Sequence, residues 1–278
     1  MKRNLLTVYV LILLLGILQN FAMSEEEKLT LKVGVVPQFT AREIRENWEP
    51  ILKNLENETN IKFVLTGSAN IPMFETQFIS GEFDLVYMNP YHMLIANKEQ
   101  KYVPILKDID RSLQGILVVK KSSNISSLSA LKDNQIVFPA PNALGASLLM
   151  RAELQKDHNI NIAPIYVKSH SSVYLNVALG QSIAGGGVMK TLKQQAPNIQ
   201  DSLKIIYRTK KVPPHPIAIH PRVSTEISEK IVNSFIKMGE DKNVQPLLRK
   251  IPMKTIGKAN LQDYIVLQKL GLEEFYVK

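Results

Sequence analysis

Few side chains in this sequence are placed to do covalent chemistry. Five histidines are present and cysteine is absent, so thiol catalysis, Cys-ligated zinc and disulfides are excluded. His215 and His220 stand five apart in an extended, proline-studded stretch and so fall on opposite faces. His92 and His158 stand alone and read as surface or locally hydrogen-bonded residues, so no metal site is expected. Gly145-Ala-Ser147 lacks the second glycine of a nucleophile elbow. Gly185-Gly-Gly-Val-Met-Lys190-Thr191 lacks the glycine spacing of a phosphate loop, and its glycines read instead as a place of close backbone approach. No catalytic residue is assigned and no cofactor is expected, although a His/Asp/Ser site assembled by the fold stays open.

Three strand-to-helix junctions offer a different chemistry, through backbone rather than side chains. Asn89-Pro90 has the form of a helix start, with Pro at the first helical position, where its missing N–H costs nothing. Asn89 is first of all a turn residue, with ligand contact the secondary reading. The segments Asn142-Ala143-Leu144-Gly145 and Ser169-His170-Ser171-Ser172 also stand where a strand ends and a helix begins. Unpaired N–H groups at such points can hold an anion directly. For His170, ligand contact and local capping are equally open.

The elements that must position these residues alternate. Leu29–Val36 is a strand. Thr40 and Glu43 have capping-box spacing ahead of Ile44, Trp48, Ile51, Leu52 and Leu55 at helical intervals, and Pro50 is expected to kink or divide that helix. Strands at 63–65, 83–87 and 103–106, with helices between them, indicate a wound α/β layer. A second series begins with the strand Gln114–Lys120 and continues through strands at 135–138, 162–167, 183–188 and 203–207. The reading is α/β and two-lobed, each lobe a wound sheet with flanking helices: 29–114 plus 215–278 as lobe 1, 115–212 as lobe 2, with crossings near 114–118 and 209–217. A ligand cleft between the lobes would close by hinge motion. A single-lobed α/β enzyme fits the pattern alone.

Met1-Lys2-Arg3, an apolar run from Leu5 to Leu18 and a small-residue stretch to Ala22 or Ser24 make residues 1–24 read as a cleavable signal peptide; the run is short for a bilayer span. With no lipobox cysteine, a free periplasmic form is expected. The net charge of +9 favours anionic ligands only weakly. The basic residues are scattered without runs, so nucleic acid is not an expected partner.

Five stretches in series carry a resemblance over essentially the whole chain after residue 28. They are Gly34-Val-Val-Pro-Gln38 with Trp48-x-Pro50; Gly81-x-Phe-Asp-Leu-Val-Tyr87-x-Asn-Pro90-Tyr91; Val137-Phe-Pro-Ala-Pro-Asn142-x-x-Gly-Ala-Ser147; Ser169-His170-x-x-Val173 with Gly180-Gln181; and Pro213-Pro-His-Pro-Ile217 to His220-Pro221. Together they resemble the phosphate/phosphite/phosphonate-type periplasmic substrate-binding proteins of ABC transporters. The resemblance implies a type II bilobal fold and capture of a small anionic, phosphonate-, phosphate- or phosphite-like solute. It also implies delivery by a monomer to an inner-membrane permease. A sensing role beside a chemoreceptor or sensor kinase, and a periplasmic hydrolase, are the alternatives. By the same pattern Tyr87 and Tyr91 line the first-lobe wall, His170 the second-lobe side, and Gln38 or Phe39 reaches the cleft. Relatives carry Ser and Thr hydroxyls where this chain has Asn142–Gly145. Those that bind amino-phosphonates place acids where it has Ser171-Ser172 and Gly185–Gly187. An ammonium partner is therefore not expected, and the oxyanion would be held by backbone N–H alone, or the solute would be less charged.

Overall fold

In chain order the computed structural model, which describes residues 28–277, runs β1 (Thr30–Val35), α1 (Ala41–Thr59), β2 (Lys62–Thr66), α2 (Ile71–Ile79), β3 (Leu85–Tyr87), α3 (Pro90–Gln100) and β4 (Val103–Asp108). The stretch read above as a signal peptide lies outside the described residues. Next come β5 (Gly115–Lys120), β6 (Gln135–Phe138), a π-turn (Leu144–Leu148) opening into α4 (Leu149–Lys156), β7 (Ala163–Tyr166), α5 (His170–Ala178), β8 (Ala184–Val188), α6 (Met189–Leu192), α7 (Pro197–Asp201) and β9 (Leu203–Arg208). The chain then returns through β10 (Ile217–Ile219), α8 (Thr225–Glu240), α9 (Gln245–Lys250), β11 (Ile256–Lys258) and α10 (Gln262–Ile265).

Two sheets result, ordered β11-β4-β10-β3-β1-β2 and β7-β6-β8-β5-β9. In the first, β1 runs parallel to β2 and β3, while the returning β10 lies antiparallel between β3 and β4. In the second, β6 runs parallel to β7 and β8, and β5 is antiparallel to β8 and β9. The two chain passages between the sheets pair with each other. Leu113 and Val212 exchange both backbone hydrogen bonds at 2.9 Å, and Gly115 N donates to Thr209 Oγ1 at 2.8 Å.

The local sequence explains these elements. Thr40 caps α1 through a complete capping box, Glu43 N donating to Thr40 Oγ1 at 3.3 Å and Thr40 N to Glu43 Oε2 at 2.9 Å. Trp48, Ile51, Leu52 and Leu55 bury the helix face, each contributing about 1.5–3 kcal/mol relative to exposure. Of the kink or division expected at Pro50, division does not occur and α1 runs through it as one helix: that buried stripe continues on both sides of the proline and outweighs one missing hydrogen bond. Strand β5 is buried on both faces, Ile116 and Val118 packing on the α5 side with Val173 and Val177, Leu117 and Val119 on the α4 side with Met150 and Leu154. Its period of two serves two apolar layers.

His92 also differs from its sequence reading. It is fully buried on α3, among the rings of Phe74 and Phe78, with Nε2 2.9 Å from Glu75 Oε1 but out of line for a hydrogen bond. Being second after Pro90, it faces inward because Asn89 fixes the phase of the helix start.

Candidate functional site

The lobes meet where β3 and β6 end. Asn89 caps α3, its Oδ1 accepting from Tyr91 N at 2.9 Å and His92 N at 2.8 Å, and its Nδ2 donates across the interface to Asn142 O at 3.2 Å. One side-chain amide thus shapes a helix start and ties the lobes together. Opposite it, the N–H groups of Leu144, Gly145 and Ala146 precede the first intrahelical donor, Ser147 N, which donates to Ala143 O at 2.7 Å, as Leu148 N does at 3.2 Å. Two glycines seat this π-turn against the sheet. A methyl on Gly186 of β8 would meet Ala146 O, and one on Gly115 of β5 would meet Gly145 O.

Gln38, Asn89, Ala143, Leu144, Gly145 and His170 line a single interlobe cavity of about 10 Å³, together with Val188 and His215. Their donors are neutral. Burial pushes His170 down to about 4. Burial first, then the nearby His92 and His170, pushes His215 to about 3. Gln38 Nε2 lies 2.8 Å from His215 Nε2; an amide nitrogen can only donate, so that ring nitrogen accepts and the proton sits on Nδ1. His170 Nδ1 is buried with no hydrogen-bond partner, an arrangement that costs about 1–3 kcal/mol unless something pairs with it.

The other expected site residues fall around this cavity. Phe39 lines a wider cavity of about 320 Å³ that adjoins it through Gln38, Leu113, Val188 and His215. Tyr87 lies behind the wall, stacked on His215 with ring centroids 5.3 Å apart and tilted on Trp48 at 5.2 Å. Its hydroxyl is buried without a partner, and burial raises its pKa far above the usual phenol value. Tyr91 packs on Tyr276 and faces an outer groove between α2, α3 and the C-terminal segment. The Asn142 amide turns to that segment, donating to Val277 O at 2.7 Å and accepting from Val277 N at 3.0 Å. Ser171 is exposed and accepts from Gln195 Nε2 at 3.2 Å.

His215 is the residue that sequence reasoning missed. Its signal was its place between Pro214 and Pro216 on the return passage, which sets it beside Gln38 only once that passage pairs with the outgoing one. Arg111, Lys190 and Arg208, which line the wider cavity, were missed because no run or spacing connects them. No group of His, Asp or Glu able to hold a metal ion occurs among the described residues, and no described helix is long and apolar enough to cross a membrane.

The model of one family, described as the periplasmic substrate-binding protein of a phosphonate ABC transporter, matches residues 33–264. Over 275 residues the chain is 22% identical to the phosphonates-binding periplasmic protein of Escherichia coli K12, covering 93% of this chain and 80% of that one. A binding-protein component of a phosphonate ABC transporter from Pseudomonas aeruginosa superposes with a TM-score of 0.80 at 15% identity, covering 90% of this chain and 88% of its own. A Prochlorococcus marinus protein in complex with methylphosphonate does so with a TM-score of 0.80 at 17% identity, covering 89% and 99%. At these identities the superpositions establish the shared type II fold.

Proposed function

Because the chain belongs to the family of periplasmic substrate-binding proteins of phosphonate ABC transporters, a family of transport receptors rather than enzymes, we propose that its interlobe cavity, which at about 10 Å³ has room for about one water, widens as the lobes open to admit a phosphonate-like oxyanion and captures it by hinge closure. Residues 1–24 direct export, and the closed monomer then docks on its permease. The phosphonyl oxygens accept from the π-turn N–H groups of Leu144, Gly145 and Ala146, from the amide of Gln38, and from the imidazole of His170. These donors stand in for the side-chain hydroxyls that the segment Asn142–Gly145 lacks. The buried, unpartnered Nδ1 of His170 in the cavity wall carries this reading; as the N–H tautomer it donates to an oxyanion.

Calorimetric titration with methylphosphonate, phosphate and sulfate tests it. Binding is expected for methylphosphonate, with a rise in melting temperature that grows with ligand concentration by mass action. His170→Ala is expected to weaken binding by about tenfold or more, the scale of a hydrogen bond to a charged group. No heat and no thermal shift with any of the three anions would overturn the proposal.

A further inference from the structure

The narrow cavity carries no fixed charge, whereas the wider cavity that adjoins it is cationic. Arg111 reaches this space from the outgoing passage between the sheets, Lys190 from α6 just after β8, and Arg208 from the end of β9. No carboxylate lines it. Arg111 Nε lies 3.4 Å from Asp108 Oδ2, but that carboxylate already accepts from Lys254 N and Asp110 N. Lys190 and Arg208 make no ion pair among the described residues. Burial, followed by the proximity of Arg111, holds the Lys190 ammonium below its usual range, as expected for a cation packed beside another cation with no acid to offset it.

We propose that this chain is built for a phosphonate carrying a second acidic group, such as a phosphonocarboxylate, whose carboxylate enters the wider cavity and is paired by Lys190 and Arg208. The inference rests on the phosphonate reading above and specifies the class of substituent. The phosphonyl end meets neutral donors in the narrow cavity. The two cavities share Gln38, Leu113, Val188 and His215, and Asn89 bonds Asn142 O across the lobes, so in this reading the substituent passes between the shared residues. It then emerges among three cations. An ammonium substituent would meet like charge there, and an alkyl substituent would leave the cations unpaired.

Titrating the purified protein with phosphonoacetate, methylphosphonate and 2-aminoethylphosphonate tests this. Phosphonoacetate is expected to bind about tenfold more tightly than methylphosphonate, with 2-aminoethylphosphonate weakest. Lys190→Gln and Arg208→Gln are each expected to move the phosphonoacetate-to-methylphosphonate ratio toward one, and added salt should erode that ratio. Equal affinities for phosphonoacetate and methylphosphonate, or a ratio indifferent to both substitutions, would overturn the second-acid inference and leave phosphonate capture standing. Failure of all three phosphonates to bind would overturn both.

Discussion

At the scale of single residues, the site's character comes from two histidines held neutral. Both His170 and His215 are driven below the ordinary imidazole value by burial, to about 4 and about 3. In the unfolded chain each takes up a proton near pH 6.5. The unfolded state therefore binds more protons than the folded one as pH falls below that value. The stability tied to these residues is fully present above pH 6.5 and is lost as pH falls toward 4 and then 3. Unfolding free energy from urea titrations should decline across that window, these two histidines contributing a slope approaching about two protons per molecule, and the slope should fall by about one proton in His170→Gln. A slope unchanged by the substitution would show that His170 does not titrate as its burial requires.

At the scale of elements, the surface proposed to face the anion is the first turn of a helix whose position is set by what lies behind it. Gly186 lets β8 approach that turn so closely that a methyl there meets both Ala146 O and, at 2.6 Å, the Phe138 ring. Gly186→Ala should cost about 1–3 kcal/mol in urea unfolding, the usual range for overpacking, and should also weaken methylphosphonate binding, because the displaced backbone is the one proposed to bind the anion. Gly67→Ala, where an added methyl meets nothing within 4 Å, provides the control and should stay within about 0.5 kcal/mol with binding intact. Equal binding by the two variants would separate the turn from the site. Much at this scale was legible in sequence: the capping box at Thr40, the Asn89-Pro90 helix start and most strand boundaries depend on residues within a few positions of one another.

At the scale of the whole molecule, the two sheets are joined by more than their paired passages. The C-terminal segment lays Leu267 and Leu272 against Leu144, Leu148, Leu149 and Ala152 of the second lobe and Tyr276 against Tyr91 of the first. Arg151 Nη2 donates to Phe275 O at 2.8 Å, Asn142 exchanges two hydrogen bonds with Val277, and Tyr276 OH donates to Glu75 Oε1 at 3.4 Å. Because this strap touches both lobes, it is expected to bias the proposed hinge motion toward closure. Asn142→Ala removes both bonds to Val277, each worth about 1 kcal/mol. In the absence of ligand it should raise the radius of gyration measured by small-angle scattering, with recovery at saturating methylphosphonate. An unchanged radius would show that the strap does not hold the lobes.

The sequence by itself determined the α/β alternation, the helix starts and the run of motifs that resembles phosphonate-type receptors. All of these follow from short-range periodicity, capping chemistry and residue order. It also placed Asn89, Ala143, Leu144, Gly145 and His170 as candidates, since each stands where a strand gives way to a helix, while Gln38 came from the resemblance. Only the tertiary structure decided which of them share one cavity, that the Asn142 amide serves the C-terminal strap, that His92 is buried and that His215 completes the wall. It also gathered Arg111, Lys190 and Arg208 from three separate segments around one space. Contacts between residues far apart in the chain depend on how the lobes are crossed and closed, and no local pattern of residue types encodes that geometry.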